Sequence, residues 1–175
     1  MSVYEESGFR FDFTAATRSV IHDKADPHDG NTFWPGIDFR VFEENNHQVW
    51  VEVKSWSFKR ILESSERKQA KKDYQSKLTG KAADEFRRDI VDKFLGTSCY
   101  LSWSGLGLPQ TVSYAIFLEP PDRGTRALLG PFQDRLRDAF KNAQIRSWGS
   151  GISYAVVDIS GFEGIFPAYS VTRAV

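Results

Sequence analysis

The chain has 175 residues, 41% of them hydrophobic with 14 Phe, which supplies one sizeable core and reads as a single domain over residues 1–175. Acids and bases balance at 23 each and there is a single cysteine, Cys99, so a cationic whole-molecule partner for nucleic acid, an intramolecular disulfide and a Cys-based zinc cage are all excluded. No apolar run approaches membrane-spanning length and Met1 to Glu6 lack the basic-then-apolar character of a signal peptide, so no membrane partner and a reducing cytoplasmic address are expected.

In chain order, Phe9, Phe11 and Phe13 alternate with Arg10 and Asp12 and predict a short strand, while Thr14 to Asp23 fit a short helix carrying Val20 and Ile21 inward. Asp26 to Asn31 form a loop by local signals, and Trp34-Pro35-Gly36 lead into the next strand. There Ile37, Phe39 and Val41 alternate with Asp38 and Arg40. After the polar segment Glu43 to Gln48, Val49, Val51 and Val53 alternate with Trp50, Glu52 and Lys54. In an antiparallel hairpin any in-phase register puts Asp38, Arg40, Trp50, Glu52, Lys54 and Trp56 on one face. A slip by one residue would bury Glu52 and Lys54 and expose the valines.

Beyond Lys54 the character changes. From Lys54 to Lys93 there are 12 Lys or Arg against 7 Asp or Glu, an excess of five where a phosphate backbone would be attracted. The periodicity is helical: Phe58, Ile61, Leu62 and Ser65, then Ala70, Tyr74 and Leu78, then, past Thr79-Gly80, Ala82, Phe86, Ile90 and Phe94 with Ala83, Val91 and Leu95 beside them. Gly96 is the expected stop. Ser98 to Trp103 and Val112 to Leu118 then read as the two strands of a long hairpin, ended by Glu119-Pro120-Pro121. Pro131 opens a helix burying Phe132, Leu136, Ala139 and Phe140, Ser153 to Ile159 form a last strand, and Phe162, Phe166 and Tyr169 pack back onto the core.

Two carboxylates and an ammonium on one strand face are suited to holding a divalent cation against a phosphate, because Mg2+ takes hard oxygen ligands and is usually held by one or two carboxylates plus substrate phosphate. A Glu and a Lys two apart are elsewhere most often a solvated charge pair. Here Trp50 and Trp56 share their face, so helices are expected to cover it, and charges there are costly unless paired or metal-bound.

Pro35-Gly36-Ile37-Asp38 followed by Glu52-Val53-Lys54 on the next strand, then a helical region and a further strand, resembles the PD-(D/E)XK nuclease superfamily. The resemblance implies an α/β fold with a restriction-endonuclease-like core, a central mixed β-sheet flanked by helices on both sides. It implies a nuclease hydrolysing phosphodiester bonds in DNA, with Asp38 and Glu52 as ligands of Mg2+ or Mn2+, the Val53 carbonyl as a further oxygen, and Lys54 positioning the attacking water. Members of the family often carry another acid on an N-terminal helix, for which Asp12, Asp23 and Asp26 are the candidates. The Gln-x-x-x-Tyr of one branch is not matched, since four residues rather than three separate Gln69 and Tyr74.

Two other classes remain open: a catalytically inactive nuclease-like module that binds nucleic acid, and an assembly module whose sheet edges and aromatic tail serve a partner, either a second copy of the chain or another subunit. His22, His28 and His47 read as ordinary surface histidines. Trp34 and Trp56 are the aromatics near enough to the Asp38 site to be considered for stacking on a base.

Overall fold

The structure is a computed structural model and describes residues 2–22, 35–54, 64–80, 82–143 and 151–174. Its centre is a five-stranded mixed sheet of order β3-β4-β5-β6-β7, built from β3 (Arg18–Ile21), β4 (Phe39–Phe42), β5 (His47–Val53), β6 (Thr111–Phe117) and β7 (Ile152–Val157). The first three strands are antiparallel neighbours and the last three run parallel, so the molecule is α/β with a mixed sheet.

The β4–β5 hairpin forms in the register that keeps alternate residues in phase, with Phe39 opposite Val51, Arg40 opposite Trp50 and Val41 opposite Val49. Its turn is closed by His47 N–H donating to the Glu44 carbonyl at 3.2 Å, with Asn45 and Asn46 both in the left-handed region that Asn tolerates better than most residues. Thr14 to Asp23 is not helical where described: Arg18–Ile21 is an edge strand beside β4, where the β-branched pair Val20 and Ile21 suits a pleated surface.

Parallel β5 and β6 need a long crossover. It contains α1 (Ser64–Thr79) and α2 (Ala83–Trp103). Here the expected hairpin from Ser98 to Leu118 is corrected. The buried stripe Phe86, Ile90, Phe94, Thr97, Leu101 keeps helical spacing through the segment read as a strand, and Ser98 and Ser102 donate back to the carbonyls of Phe94 and Ser98. Gly96 is therefore an interior helix residue. The helix stops at the C-cap Ser104, followed by Gly105 at φ 74°, the left-handed position glycine adopts without strain. Gly96 serves a different purpose: a Cβ built there would lie 2.0 Å from the Pro35 carbonyl oxygen, so only glycine lets the chain entering β4 press against α2.

Two cores sit on the two faces of the sheet. On one, α1, α2 and α4 (Leu129–Asn142, with Pro131 in its first turn) cover Trp50, Val112, Tyr114, Ile116 and Val156 with Tyr74, Leu78, Phe94, Phe132 and Leu136. On the other, the strand residues Phe39, Val41, Val49, Val51, Val53 and Phe117 meet a three-stranded antiparallel sheet of β1 (Val3–Glu6), β2 (Phe9–Asp12) and β8 (Ser170–Arg173). Helices on both faces were expected. On this second face the helical contribution is the seven-residue α5 (Ile159–Ile165), which brings in Phe162, and the cover is otherwise β. The short α3 (Arg123–Arg126) links β6 to α4. Each fully buried Phe, Val or Leu in these cores contributes about 1.5–3 kcal/mol. Among the described residues no helix is long and apolar enough to cross a membrane.

Candidate functional site

Asp38 is placed by three fixtures. Ile37 N–H donates to Thr97 Oγ1 of α2 at 3.1 Å, Asp38 N–H donates to the Val51 carbonyl at 3.1 Å, and His22 N–H donates to the Asp38 carbonyl at 2.8 Å. The residues just before it are held by the close approach at Gly96 and by Gly36, where a Cβ would come within 3.0 Å of the His22 ring. His22 is accordingly no surface histidine: it is fully buried, with its ring 5.3 Å from that of Tyr100. His47 is half-buried against Thr111, and His28 lies outside the described residues.

On the helical face of β5, Trp50 and Glu52 are completely buried and Asp38 nearly so. Asp38 Oδ2 accepts from the Val53 N–H at 2.6 Å, so what Val53 visibly gives this carboxylate is its amide. Glu52 Oε1 meets two ammonium groups, Lys54 Nζ and Lys93 Nζ, each at 2.7 Å. Lys54 Nζ also contacts Asp89 Oδ2 at 2.5 Å. Glu52 Oε2 is buried and has no donor among the described residues.

Lys93 and Asp89 were not singled out from the sequence. They lie four apart on α2, flanking the buried stripe of Phe86, Ile90 and Phe94, so one helix face delivers both to the carboxylate end of β5. That spacing was legible; which strand the helix would cover was not. The acid candidates from the N-terminus fare differently. Asp12 caps Thr14 N–H at 2.9 Å on the β1-β2-β8 sheet, which packs on the opposite face of the central sheet, so it is not part of this cluster. Asp23, Asp26, Trp34 and Trp56 lie outside the described residues.

The electrostatics follow from burial. Loss of solvent pushes the Glu52 carboxyl above its ordinary value, with Lys54 and Lys93 pulling the other way. For Lys93 burial opposes the charge, but Glu52 and Asp38 outweigh it and hold its pKa above the ordinary value, so the ammonium remains charged. Beneath them Tyr114, whose hydroxyl donates to the Ile90 carbonyl at 3.2 Å, is pushed well above its ordinary value by burial and then by Glu52, Asp38 and Asp89.

For a divalent cation the donor set is two nearly dry carboxylates, one of them with a buried oxygen that the described chain leaves without a donor. That fits Mg2+, which keeps several waters and asks the protein for one or two carboxylates. Among the described residues no group of three or more His, Cys, Asp or Glu is gathered for a metal, so a cage made wholly by the protein is not what is offered.

Around this centre lie further cations. One is Lys77 of α1, whose Nζ is 5.9 Å from the Phe86 ring, the same distance as Lys54 Nζ just past the end of β5. A separate cleft of ≈ 660 Å³ opens at the other end of β5, between Glu43, His47, Thr111 and Tyr169. There the Glu43 carboxylate is already engaged, accepting from Tyr169 Oη at 2.6 Å. No protein-family model matches this chain, and neither the curated proteins nor the solved structures compared with it give a match.

Proposed function

We propose that the chain is a metal-dependent nuclease of the PD-(D/E)XK kind acting on DNA, with Asp38 and Glu52 holding Mg2+ or Mn2+ and Lys54 orienting the attacking water. The observation that carries this reading is Glu52: a carboxylate with no solvent exposure, one oxygen shared by two lysines and the other without a donor among the described residues. Burying such a group is costly, and a protein that keeps it has a use for a concentrated negative charge at that point.

The chain's own groups have definable tasks. Asp38, tied to the Val53 amide and preceded by Ile37, whose N–H donates to the Thr97 hydroxyl of α2, is held rigidly next to β5. Lys54 is steadied between Glu52 and Asp89, which aims its ammonium along the edge where a scissile phosphate would lie, to neutralise charge and hydrogen-bond the incoming water. Lys93 and Lys77 extend the cationic surface onto α2 and α1, giving a phosphate backbone a track in a chain of zero formal charge. When bound, Mg2+ supplies Lewis-acid polarisation of the phosphoryl group and a lowered pKa for a coordinated water.

The test is cleavage of plasmid and linear DNA in Mg2+ and in Mn2+ by the wild type, Glu52→Gln and Asp38→Asn. Cleavage is expected in the wild type, falling by about 100-fold or more in either variant, past what loss of an outer partner costs. An inert wild type in both metals, or a variant that cleaves as fast as the wild type, removes the reading. A second reading, a nucleic-acid-binding or assembly module without turnover, draws on the same Glu52 contacts: two lysines already balance the carboxylate, as in a buried structural ion network. Salt-dependent DNA binding with no cleavage would select it.

A further inference from the structure

We propose that Lys93 and a divalent cation compete for the Glu52 carboxylate, so that metal capture turns the Lys93 ammonium outward onto the phosphate backbone and makes metal and nucleic acid bind cooperatively. The inference rests on the nuclease reading and adds a role for a lysine that reading leaves as part of a cationic surface.

Two ammonium groups at 2.7 Å from the same oxygen, Glu52 Oε1, repel each other, and the arrangement holds because the carboxylate is otherwise unneutralised. The two are not equivalent. Lys54 has a second anion in contact, Asp89 at 2.5 Å, and stays anchored if Glu52 is taken away from it. Lys93 has Glu52 as its one ion-pair contact among the described residues. A hard cation entering at the buried Oε2 adds two positive charges beside Lys93 and competes for the one carboxylate that Lys93 touches among the described residues.

Lys93 is able to leave. Its side chain is 21% exposed, so the ammonium is near the surface of α2, and four rotatable stem bonds let it swing without moving the helix. An outward ammonium beside the metal finds its counter-charge in a phosphate. Binding is then linked in both directions: the metal releases a phosphate-binding group, and a phosphate that holds this group keeps it from returning to Glu52.

Calorimetric titration with Mn2+ alone tests the competition, using the wild type, Lys93→Gln, Lys93→Arg and Glu52→Gln. Lys93→Gln removes the competitor and binds Mn2+ about tenfold more tightly, a coupling of ordinary size. Lys93→Arg retains a competing cation, stays at the wild-type affinity and serves as the folded control. In the presence of a phosphorothioate-linked DNA duplex the wild-type affinity for Mn2+ rises by a similar factor, and that of Lys93→Gln does not. If Lys93→Gln binds Mn2+ no more tightly than the wild type, or shows the same gain with DNA, the competition is overturned and the nuclease reading stands. If the wild type takes up no Mn2+, or Glu52→Gln takes it up equally well, the nuclease reading falls and this inference with it.

Discussion

The same strands make both faces of the central sheet, from alternate residues, and the two faces have been put to different uses. Toward β1-β2-β8 and α5, the hairpin presents Phe39, Val41, Val49, Val51 and Val53, with no polar side chain among them. Toward the helices it presents Asp38, Arg40, Gln48, Trp50 and Glu52, all buried. The polar members of this second set are costly to bury and need partners, which α2 supplies to Glu52 through Lys93, or which lie within the hairpin, as where Gln48 Oε1 accepts from the Trp50 indole at 2.9 Å. Both faces of the sheet carry an aromatic core, but only on the helical side does the hairpin bury charged side chains within it. The hairpin's buried charges are thereby confined to one of its two faces.

The largest expected effect comes from the uncharged face. The Phe11 ring lies 5.2 Å from Phe39, 5.3 Å from Phe117, 5.9 Å from Phe13 and 6.0 Å from Phe162, at the centre of that cluster. Phe11→Ala should cost about 3–5 kcal/mol in urea unfolding, from lost transfer energy plus the cavity left behind. The folded fraction should bind Mn2+ as the wild type does. A variant that loses metal affinity along with stability would show that the faces are coupled through the sheet.

Next in size is a change on the helical side. In Gly96→Ala the new methyl would collide with the Pro35 carbonyl oxygen, 2.0 Å away before relaxation. Either α2 or the segment entering β4 must give, at about 1–3 kcal/mol for overpacking a tight contact. Because that segment positions Asp38, metal affinity and thermal stability should fall together. Metal affinity unchanged beside a lowered melting temperature would mean that Asp38 is positioned by its bond to the Val53 amide alone.

How much of this was legible in the sequence depended on the range of the interaction that decides each element. The β4–β5 hairpin was readable because its alternation is local and a slip of one residue would invert every side chain. The α2 stripe was readable as far as Phe94. Past it, Gly96 looked like a stop because glycine's reason there is a contact with Pro35, some sixty residues away in sequence, which no local rule expresses. The same misreading turned Ser98 to Trp103 into a strand and hid the parallel crossover. β1 and β8 are four-residue strands that pair with β2 from its two sides, so neither carries a local signal. At the site, Asp38, Glu52 and Lys54 could be brought together by register alone. Lys93 and Asp89 could not, because their arrival at Glu52 depends on how α2 crosses the sheet.

The smallest effect tests whether the charges of the helical face reach into its core. Tyr114 is buried below Glu52, and its hydroxyl ionises only well above the ordinary value. In the unfolded chain the same group ionises near 10.0. With the folded value raised, the contribution to stability is complete below that pH and is lost as pH climbs from there toward the folded value, at up to about 1.4 kcal/mol per pH unit for one proton. Tyr114→Phe should lose about 0.5–1.5 kcal/mol at neutral pH with the bond to Ile90, whose carbonyl remains within a continuous helix. Above about pH 10 the variant has no phenol to ionise there, and its unfolding free energy should decline less steeply than that of the wild type until the two curves converge. Lys93 titrates with the same sign and is present in both proteins, so the difference between the curves isolates Tyr114. Parallel curves would mean that water reaches the Tyr114 hydroxyl, and with it the floor of the charged site, which would cancel the low dielectric on which the strength of the Glu52 contacts depends.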